Sequence, residues 1–350
     1  MNREPPPWFG DVMAHLLARR DVPGPWMVEA VRDMVAGRVG EVWGAAFLVA
    51  LRMKGETAEE LAASAGVLRE QMIALTPVSG PVLDTCGTGG DESGTFNIST
   101  ATALVVAGAG VPVVKHGNRA VSSRSGSADV LRELGVPIEG GPEWAQKCLD
   151  RIGFAFCYAP QFHRGMAHVA ALRRKLGLRT LFNLLGPLAN PASAPYQLLG
   201  VGAAEMLDPL AGALARLGTT RQALVVWSED GLDEVSLSAP THVRLVRGDG
   251  YESRLWQPQD FGLGVVSREQ IQAANVQESA QVIRQVLAGK EGPAWKMVAA
   301  NAAAALWVAE QVMDLHEGVE RAIATLRQGR PRAVLEQLCQ SAAWIEAPDR

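Results

Sequence analysis

Cysteine is scarce in this chain. Only Cys86, Cys148, Cys157 and Cys339 occur in 350 residues. No pair has CxxC spacing, which argues against a zinc ribbon or a thioredoxin-type motif. So few thiols in so long a chain make no disulfide scaffold, and reduced cysteines in a cytoplasm are expected. Net basic charge is missing too. The formal charge is -4 and the pI about 5.9, so no overall field pulls the protein toward nucleic acid or an anionic membrane. The opening "MNREPPPWFGDV" has no apolar signal core. The uncharged stretch from Phe96 to Val114 is broken by Asn97, Ser99, glycines and Pro112, and makes a poor membrane span. There is no internal repeat, and the only low-complexity piece is a short alanine run near 302. What remains is a globular composition, 48% hydrophobic and 20% charged, long enough for more than one domain.

Residues 8–72 read as helices only. "GEVWGAAFLVALRMKG" carries apolar residues around most of a helical surface, which predicts a buried helix. "ETAEELAASAG" follows, with Thr57 and Glu60 in capping-box spacing. Gly80 and Pro81 then break the pattern. Beyond them strands alternate with helices: "PVLDT", a helix from about Asn97, "VPVVKHG", "SGSADVLRELG", "FAFCYAP", "QLLGV" and "QALVVW". That alternation predicts a parallel sheet covered on both faces. Such sheets bind ligands at the carboxyl ends of their strands. The tail, 267–346, reads as mainly helical, with "AWKMVAANAAAALWVAEQV" largely buried.

Three loops therefore matter. The first, within "DTCGTGGDESGTFNIST" (84–100), has glycines that let backbone approach a phosphate, hydroxyls on Thr88, Thr95, Ser99 and Thr100, and a helix start facing it. Its glycine spacing is not the dinucleotide fingerprint, and no GK[ST] follows. A ligand-free glycine turn is the plain alternative. The second, "KHGNRAVSSRSGSAD" (115–129), combines cations, hydroxyls and glycines into an anion cradle; its plain alternative is a solvated basic turn. The third, "SEDGLDEVS" (228–236), gathers Glu229, Asp230, Asp233 and Glu234. It is a solvated acidic turn or a magnesium site.

Carboxylates near a phosphate loop pose a problem of charge. At about 4 Å from one phosphate charge, a carboxylate costs roughly 4 kcal/mol at an effective dielectric of about 20. A shared cation removes that cost. The expected ligand is therefore a polyphosphate or pyrophosphate ester held with magnesium. A fourth segment, "FHRGMAHVAALRRKLGLRTLFNLLGPLANP" (162–191), puts Arg173 and Arg174 on a helix. Arginine there could grip a carboxylate or merely face solvent. His163 and His168 are five apart, a poor zinc pair.

In this order, "GTGGD", "TFNIST", "KHGNRAVSS", "SGSADVL", "RRKLGLRTLFNLLGPLANP" and "DGLDEVS" closely resemble the anthranilate phosphoribosyltransferases of tryptophan biosynthesis. The resemblance implies transfer of a phosphoribosyl group from phosphoribosyl pyrophosphate (PRPP) to anthranilate, with magnesium, and two ions per subunit are expected. It implies a small all-helical domain, 1–75 completed by helices within 168–192, beside a larger α/β domain, 76–350, with a mainly parallel sheet of the nucleoside phosphorylase/phosphoribosyltransferase kind. It also implies a cytoplasmic homodimer without nucleic-acid or membrane partners.

Carried over by motif, Gly87, Gly90, Asp91, Thr95, Asn97, Ile98, Ser99 and Thr100 are expected to contact PRPP. So are Lys115, His116, Gly117, Asn118 and Arg119, then Ala120, Val121, Ser122 and Ser123, and finally Ser127. Ser99, Asp233 and Glu234 are expected at magnesium, and Gly87, Asn118 and Arg173 at anthranilate. Catalytic roles are expected of Lys115, Asn118 and Arg173; His116 is a proton acceptor or a packing residue. One departure is "HRGM" at 163–166, where the family usually has HPAM. It changes the charge near the aromatic substrate and predicts a more flexible loop there.

Two other readings share this architecture. A pyrimidine nucleoside phosphorylase has a related lysine-histidine-glycine loop but no need of the acidic "DGLDEVS". A non-enzymatic nucleic-acid binder would show a basic groove, against the negative charge here.

Overall fold

The computed structural model describes residues 4–77, 80–91, 93–119 and 125–345. The chain opens with four helices: α1 (Phe9–Leu17), α2 (Gly24–Val35), α3 (Glu41–Lys54) and α4 (Ala58–Gln71). The capping box at Thr57 is present. The Glu60 amide donates to Thr57 Oγ1, and the Thr57 amide donates to the Glu60 carboxylate. The third helix differs from expectation. It buries only Gly44, Phe47, Leu48 and Leu51 and leaves Val42 72% and Met53 74% exposed. An apolar surface stays open where no neighbouring element covers it.

Next come β1 (Leu83–Gly87), α5 (Ile98–Gly108), β2 (Val113–Gly117), α6 (Ser127–Glu133), α7 (Gly141–Ile152) and β3 (Phe154–Tyr158). The single turn α8 (Ala159–Phe162), α9 (Met166–Leu176) and the single turn α10 (Leu181–Leu184) lead to β4 (Tyr196–Gly200), α11 (Leu207–Arg216) and β5 (Gln222–Ser228). A hairpin, β6 (Thr241–Arg247) and β7 (Gly250–Trp256), precedes the helical tail α12 (Val276–Leu287), α13 (Pro293–Val308), α14 (Leu315–Arg327) and α15 (Arg330–Gln340).

The strand order is β3-β2-β1-β4-β5-β6-β7. Pairing is parallel from β3 through β5 and antiparallel in the hairpin. The sequence reading missed this hairpin and helix α7. The hairpin's signal was the Gly248-Asp249 pair between two strand-length runs; β7 lies at the sheet edge and is mostly exposed, so it lacks an apolar stripe.

Strand order sets the location of the cleft. From β1 the chain moves outward through β2 to β3, then returns to add β4 and β5 on the other side. The switch point lies between β1 and β4, where Gly87 pairs with Gly200. A crevice opens at such a point because the connections leave in opposite directions.

Two cores flank the sheet. On β5, Leu224 and Val226 face one core, with α5 and α13, while Ala223 and Val225 face the other, with α11 and the N-terminal helices. The second core also takes in Val169 and Leu172 of α9 and Leu181 and Leu184 of α10. This segment lies between β3 and β4 in the chain yet packs with the N-terminal helices.

Candidate active site

Two side-chain-free positions allow the acidic loop to cross the sheet. A Cβ on Gly87, the last residue of β1, would lie 2.7 Å from Asp233 Oδ2. A Cβ on Gly200, at the end of β4, would overlap the Asp233 carbonyl oxygen. The loop after β5 thus passes over β4 and rests against β1. There the amide of Ser99, in the first turn of α5, donates to Glu234 Oε1 at 3.0 Å. Ser228 Oγ donates to the Glu234 carbonyl at 2.7 Å. Asn301 of α13 brackets the next residue. It accepts the Val235 amide at 3.0 Å and donates to the Val235 carbonyl at 2.9 Å.

The charges are crowded. Burial raises the Asp233 carboxyl to about 7, and the charge of Asp91 adds to this. Burial also raises Glu234 well above its usual value, with Asp233 acting the same way and Lys115 opposing. Beneath them Lys115 is 1% exposed. Its ammonium donates to the Thr85 carbonyl and to Ser99 Oγ. Burial pulls its pKa down, and Asp84 leads the carboxylates that hold it up. Asp84 is itself raised to about 6 by burial, against Lys115, and accepts from Asn190 Nδ2 at 2.9 Å. Hard oxygen donors pressed together in this way suit magnesium. Among the described residues no three His, Cys, Asp or Glu side chains form a closed metal cage. A site that borrows substrate phosphates as ligands needs none.

The structure divides the expected contacts. Gly87, Ser99, Asp233, Glu234 and Lys115 come together. The glycine loop is fastened to the far side of the cleft: the Thr88 amide donates to Gly200 O at 2.9 Å and the Gly202 amide to Thr88 Oγ1 at 3.1 Å. Ile98 and Thr100 are buried side chains at 1% and 0% exposure and offer a ligand only their backbone. Thr95 Oγ1 is taken up by Ser93 at 3.1 Å. Asn97 Oδ1 accepts from Ser125 and Ser279, so its side chain braces the start of α5. Arg119 pairs with Glu139 at 2.6 Å and leans over the Tyr158 ring. Asn118 is exposed, and its Oδ1 accepts the Arg119 amide. Gly117 packs on Ser127: a Cβ there would overlap its Oγ. Ala120, Val121, Ser122 and Ser123 lie outside the described residues.

His116 is built into the wall. Its Nδ1 lies 2.9 Å from the Gly186 carbonyl, an acceptor, so that nitrogen is assigned the proton. Its Nε2 is buried without a hydrogen-bond partner among the described residues, and its ring stands 4.9 Å from that of His163. Burial, then the His163 and Lys115 charges, lower its pKa to about 3. In "HRGM", Gly165 has φ -60°, and its missing side chain serves close packing: a Cβ would meet the Val35 carbonyl oxygen at 2.9 Å. Arg173 is half-buried on α9, and burial lowers its pKa.

The sequence pattern described as "Glycosyl transferase family, a/b domain" matches residues 79–332, and "Glycosyl transferase family, helical bundle domain" matches 11–72. The anthranilate phosphoribosyltransferase of Symbiobacterium thermophilum is 48% identical over 309 residues, 88% of this chain and 90% of that one. This chain belongs to the anthranilate phosphoribosyltransferase family. The relative from Thioalkalivibrio sulfidiphilus is 49% identical over 292 residues, 83% of this chain and 86% of its own. The crystal structure of anthranilate phosphoribosyltransferase from Thermus thermophilus superposes with a TM-score of 0.88 at 41% identity, covering 96% of this chain and 100% of that one. The Saccharomyces cerevisiae anthranilate phosphoribosyltransferase, solved in complex with PRPP and Mg, gives 0.86 at 27% identity, covering 96% and 98%. Two residues of this anthranilate phosphoribosyltransferase cleft escaped the sequence reading: Asn301, which anchors the acidic loop, and Arg179, which contacts the glycine loop. A lone asparagine inside the alanine run of α13 was the available signal for the first; the second sat unmarked beside Arg173 and Arg174.

Proposed function

We propose that the crevice between β1 and β4 holds the diphosphate end of PRPP, with anthranilate approaching from the side of α9. The reaction is the family's: the phosphoribosyl group of PRPP moves to the amine of anthranilate, giving N-(5-phosphoribosyl)anthranilate and pyrophosphate in tryptophan biosynthesis. The observation that carries this placement is the acidic loop lying against Gly87 and bonded through Glu234 to Ser99.

Asp233, Glu234 and the Ser99 hydroxyl would hold magnesium, two ions per subunit. Bound there, it offsets charge between the acids and the diphosphate and favours departure of pyrophosphate. This chain's own residues do the rest. The Ser99 and Thr88 region presents backbone and hydroxyl donors to the phosphates. Lys115 fixes Ser99 from below and adds a positive field that needs no rearrangement during the reaction. Asn118 and Arg173 orient the acceptor, with the Arg173 guanidinium paired to the anthranilate carboxylate. The aromatic amine is neutral at pH 7 and needs no strong base; the hard step is departure of pyrophosphate from the ribose carbon through a loose, oxocarbenium-like transition state, and the amine proton leaves to solvent or to the departing pyrophosphate. The buried, weakly basic ring of His116 supports its packing role over proton transfer.

This reading includes a division into 1–75 with helices from 168–192, and 76–350; the packing of α9 on α2 and α3 supports it. It includes a homodimer, supported by exposed Leu17, Val42 and Met53 on α1 and α3. It includes a cytoplasmic setting, supported by four free thiols. Among the described residues no helix is long and apolar enough to cross a membrane.

The test follows anthranilate fluorescence with purified protein, omitting PRPP and magnesium in turn. Consumption that needs both supports the reading. No consumption of anthranilate with both present, and phosphorolysis of thymidine in its place, overturns it.

A further inference from the structure

Arg179 lies between α9 and α10, in the segment that packs with the N-terminal helices through Leu172 and Leu181. Its guanidinium Nη2 donates to the Thr88 carbonyl at 2.7 Å. It also occupies the space over Gly90: a Cβ on that residue would overlap Nη1 and Cζ. Gly90 sits at φ +83° and Gly89 at +63°, conformations in which other residues are strained. The glycine loop therefore has little intrinsic preference for its observed shape. Contacts from outside it hold it: the bonds of Thr88 to Gly200 and Gly202, the Asp233 carboxylate on the Gly89 amide, and Arg179, which bonds to Thr88 and covers Gly90.

The charge is placed with equal purpose. Burial lowers the Arg179 pKa, while Asp233 and Asp91 hold it up and Arg52 of α3 acts with burial. Asp91 belongs to the glycine loop and Asp233 to the acidic loop, so one cation faces the acids of both.

We propose that Arg179 is a positioning residue of the PRPP site, holding residues 88–90 in a donor-ready shape and balancing the acids on either side. The proposal rests on the function stated above. The loop amides meet the diphosphate without first having to be ordered, and the ordering cost is met in the free protein. A lysine cannot reproduce the planar fork that reaches the Thr88 carbonyl while covering Gly90.

The experiment compares the native protein with Arg179→Ala, Arg179→Lys and Gly90→Ala. Calorimetric Kd for PRPP with magnesium, KM for each substrate, and melting temperature are measured. Arg179→Ala is expected to raise the PRPP Kd and KM about 10- to 100-fold, leave the anthranilate KM within about twofold, and leave the melting temperature near that of the native protein. Arg179→Lys recovers only part. Gly90→Ala, whose methyl displaces the guanidinium, weakens PRPP too, and combined with Arg179→Ala gives less than the product of the two effects. Unchanged PRPP affinity overturns the proposal, as do equal effects on both substrates or a collapse of thermal stability. If the native protein itself binds no PRPP, the functional reading fails instead.

Discussion

Arg173 is half-buried, and no hydrogen bond or ion pair holds its guanidinium among the described residues. Burial alone lowers its pKa. A buried charge without a counterpart is costly, so a carboxylate ligand gains by pairing with it. Arg173→Ala should raise the anthranilate KM by about 10- to 100-fold and the PRPP KM much less; equal effects in steady-state kinetics would displace it from the acceptor site. Asp233→Asn with Glu234→Gln should reduce turnover by about 100-fold or more and alter the magnesium dependence. Normal kinetics in that double variant would remove the metal assignment. Lys115 teaches a different lesson at this scale. The sequence places it at the end of a strand beside an anion loop, which suggests a hand reaching for phosphate. The fold turns it inward, where the Thr85 carbonyl and Ser99 hydroxyl accept from the buried ammonium and the charge of Asp84 supports it.

At the scale of elements, α13 shows how a structural helix can set a binding loop. Its burial was legible from alanine content. The asparagine within it went unremarked, yet Asn301 is fully buried and pairs with both backbone groups of Val235, one residue past Glu234. Asn301→Leu keeps the volume and removes both partners. It should cost about 2–4 kcal/mol of stability by denaturant titration, because a buried donor and acceptor are left unpaired. It should also weaken magnesium-dependent PRPP binding. A variant as stable as the native protein would show that water or a shifted backbone replaces those bonds. Elements whose signal is local were readable: the Thr57 capping box, the strands from "PVLDT" to "QALVVW", the helix start at Asn97. The hairpin of β6 and β7 was not, since its outer strand faces solvent and carries no apolar stripe.

For the whole molecule, two global measurements follow. Because no closed cage of acids is present among the described residues, magnesium alone should raise the melting temperature little. Magnesium with PRPP should raise it clearly, since a hundredfold excess over Kd adds about 2.7 kcal/mol to the stability of the fold. A full shift from the metal alone would contradict metal held jointly with the diphosphate. The second concerns pH. Asp84 titrates near 6 in the folded chain, above its value of about 3.9 when unfolded. Its bound proton favours the fold at low pH, and that contribution is lost as pH rises through about 6. His116, lowered to about 3 from about 6.5 unfolded, acts oppositely: stability falls as pH drops below about 6.5. The two oppose each other in mild acid. Asp84→Asn should therefore steepen the loss of melting temperature between about pH 6 and 4; an unchanged slope would dissociate Asp84 from the balance.

The sequence by itself determined the helical lead, the alternation that makes a parallel sheet, and the three loops of glycine, cation and acid, because each is written in neighbouring residues and short-range periodicity. Tertiary structure alone decided that β4 lies between β1 and β5, that the acidic loop crosses it over Gly200 to reach Gly87, and that Arg179 and Asn301 arrive from distant segments to hold the two loops. Strand order and close approach depend on which surfaces pack together across long stretches of chain, and no local pattern of residues encodes that.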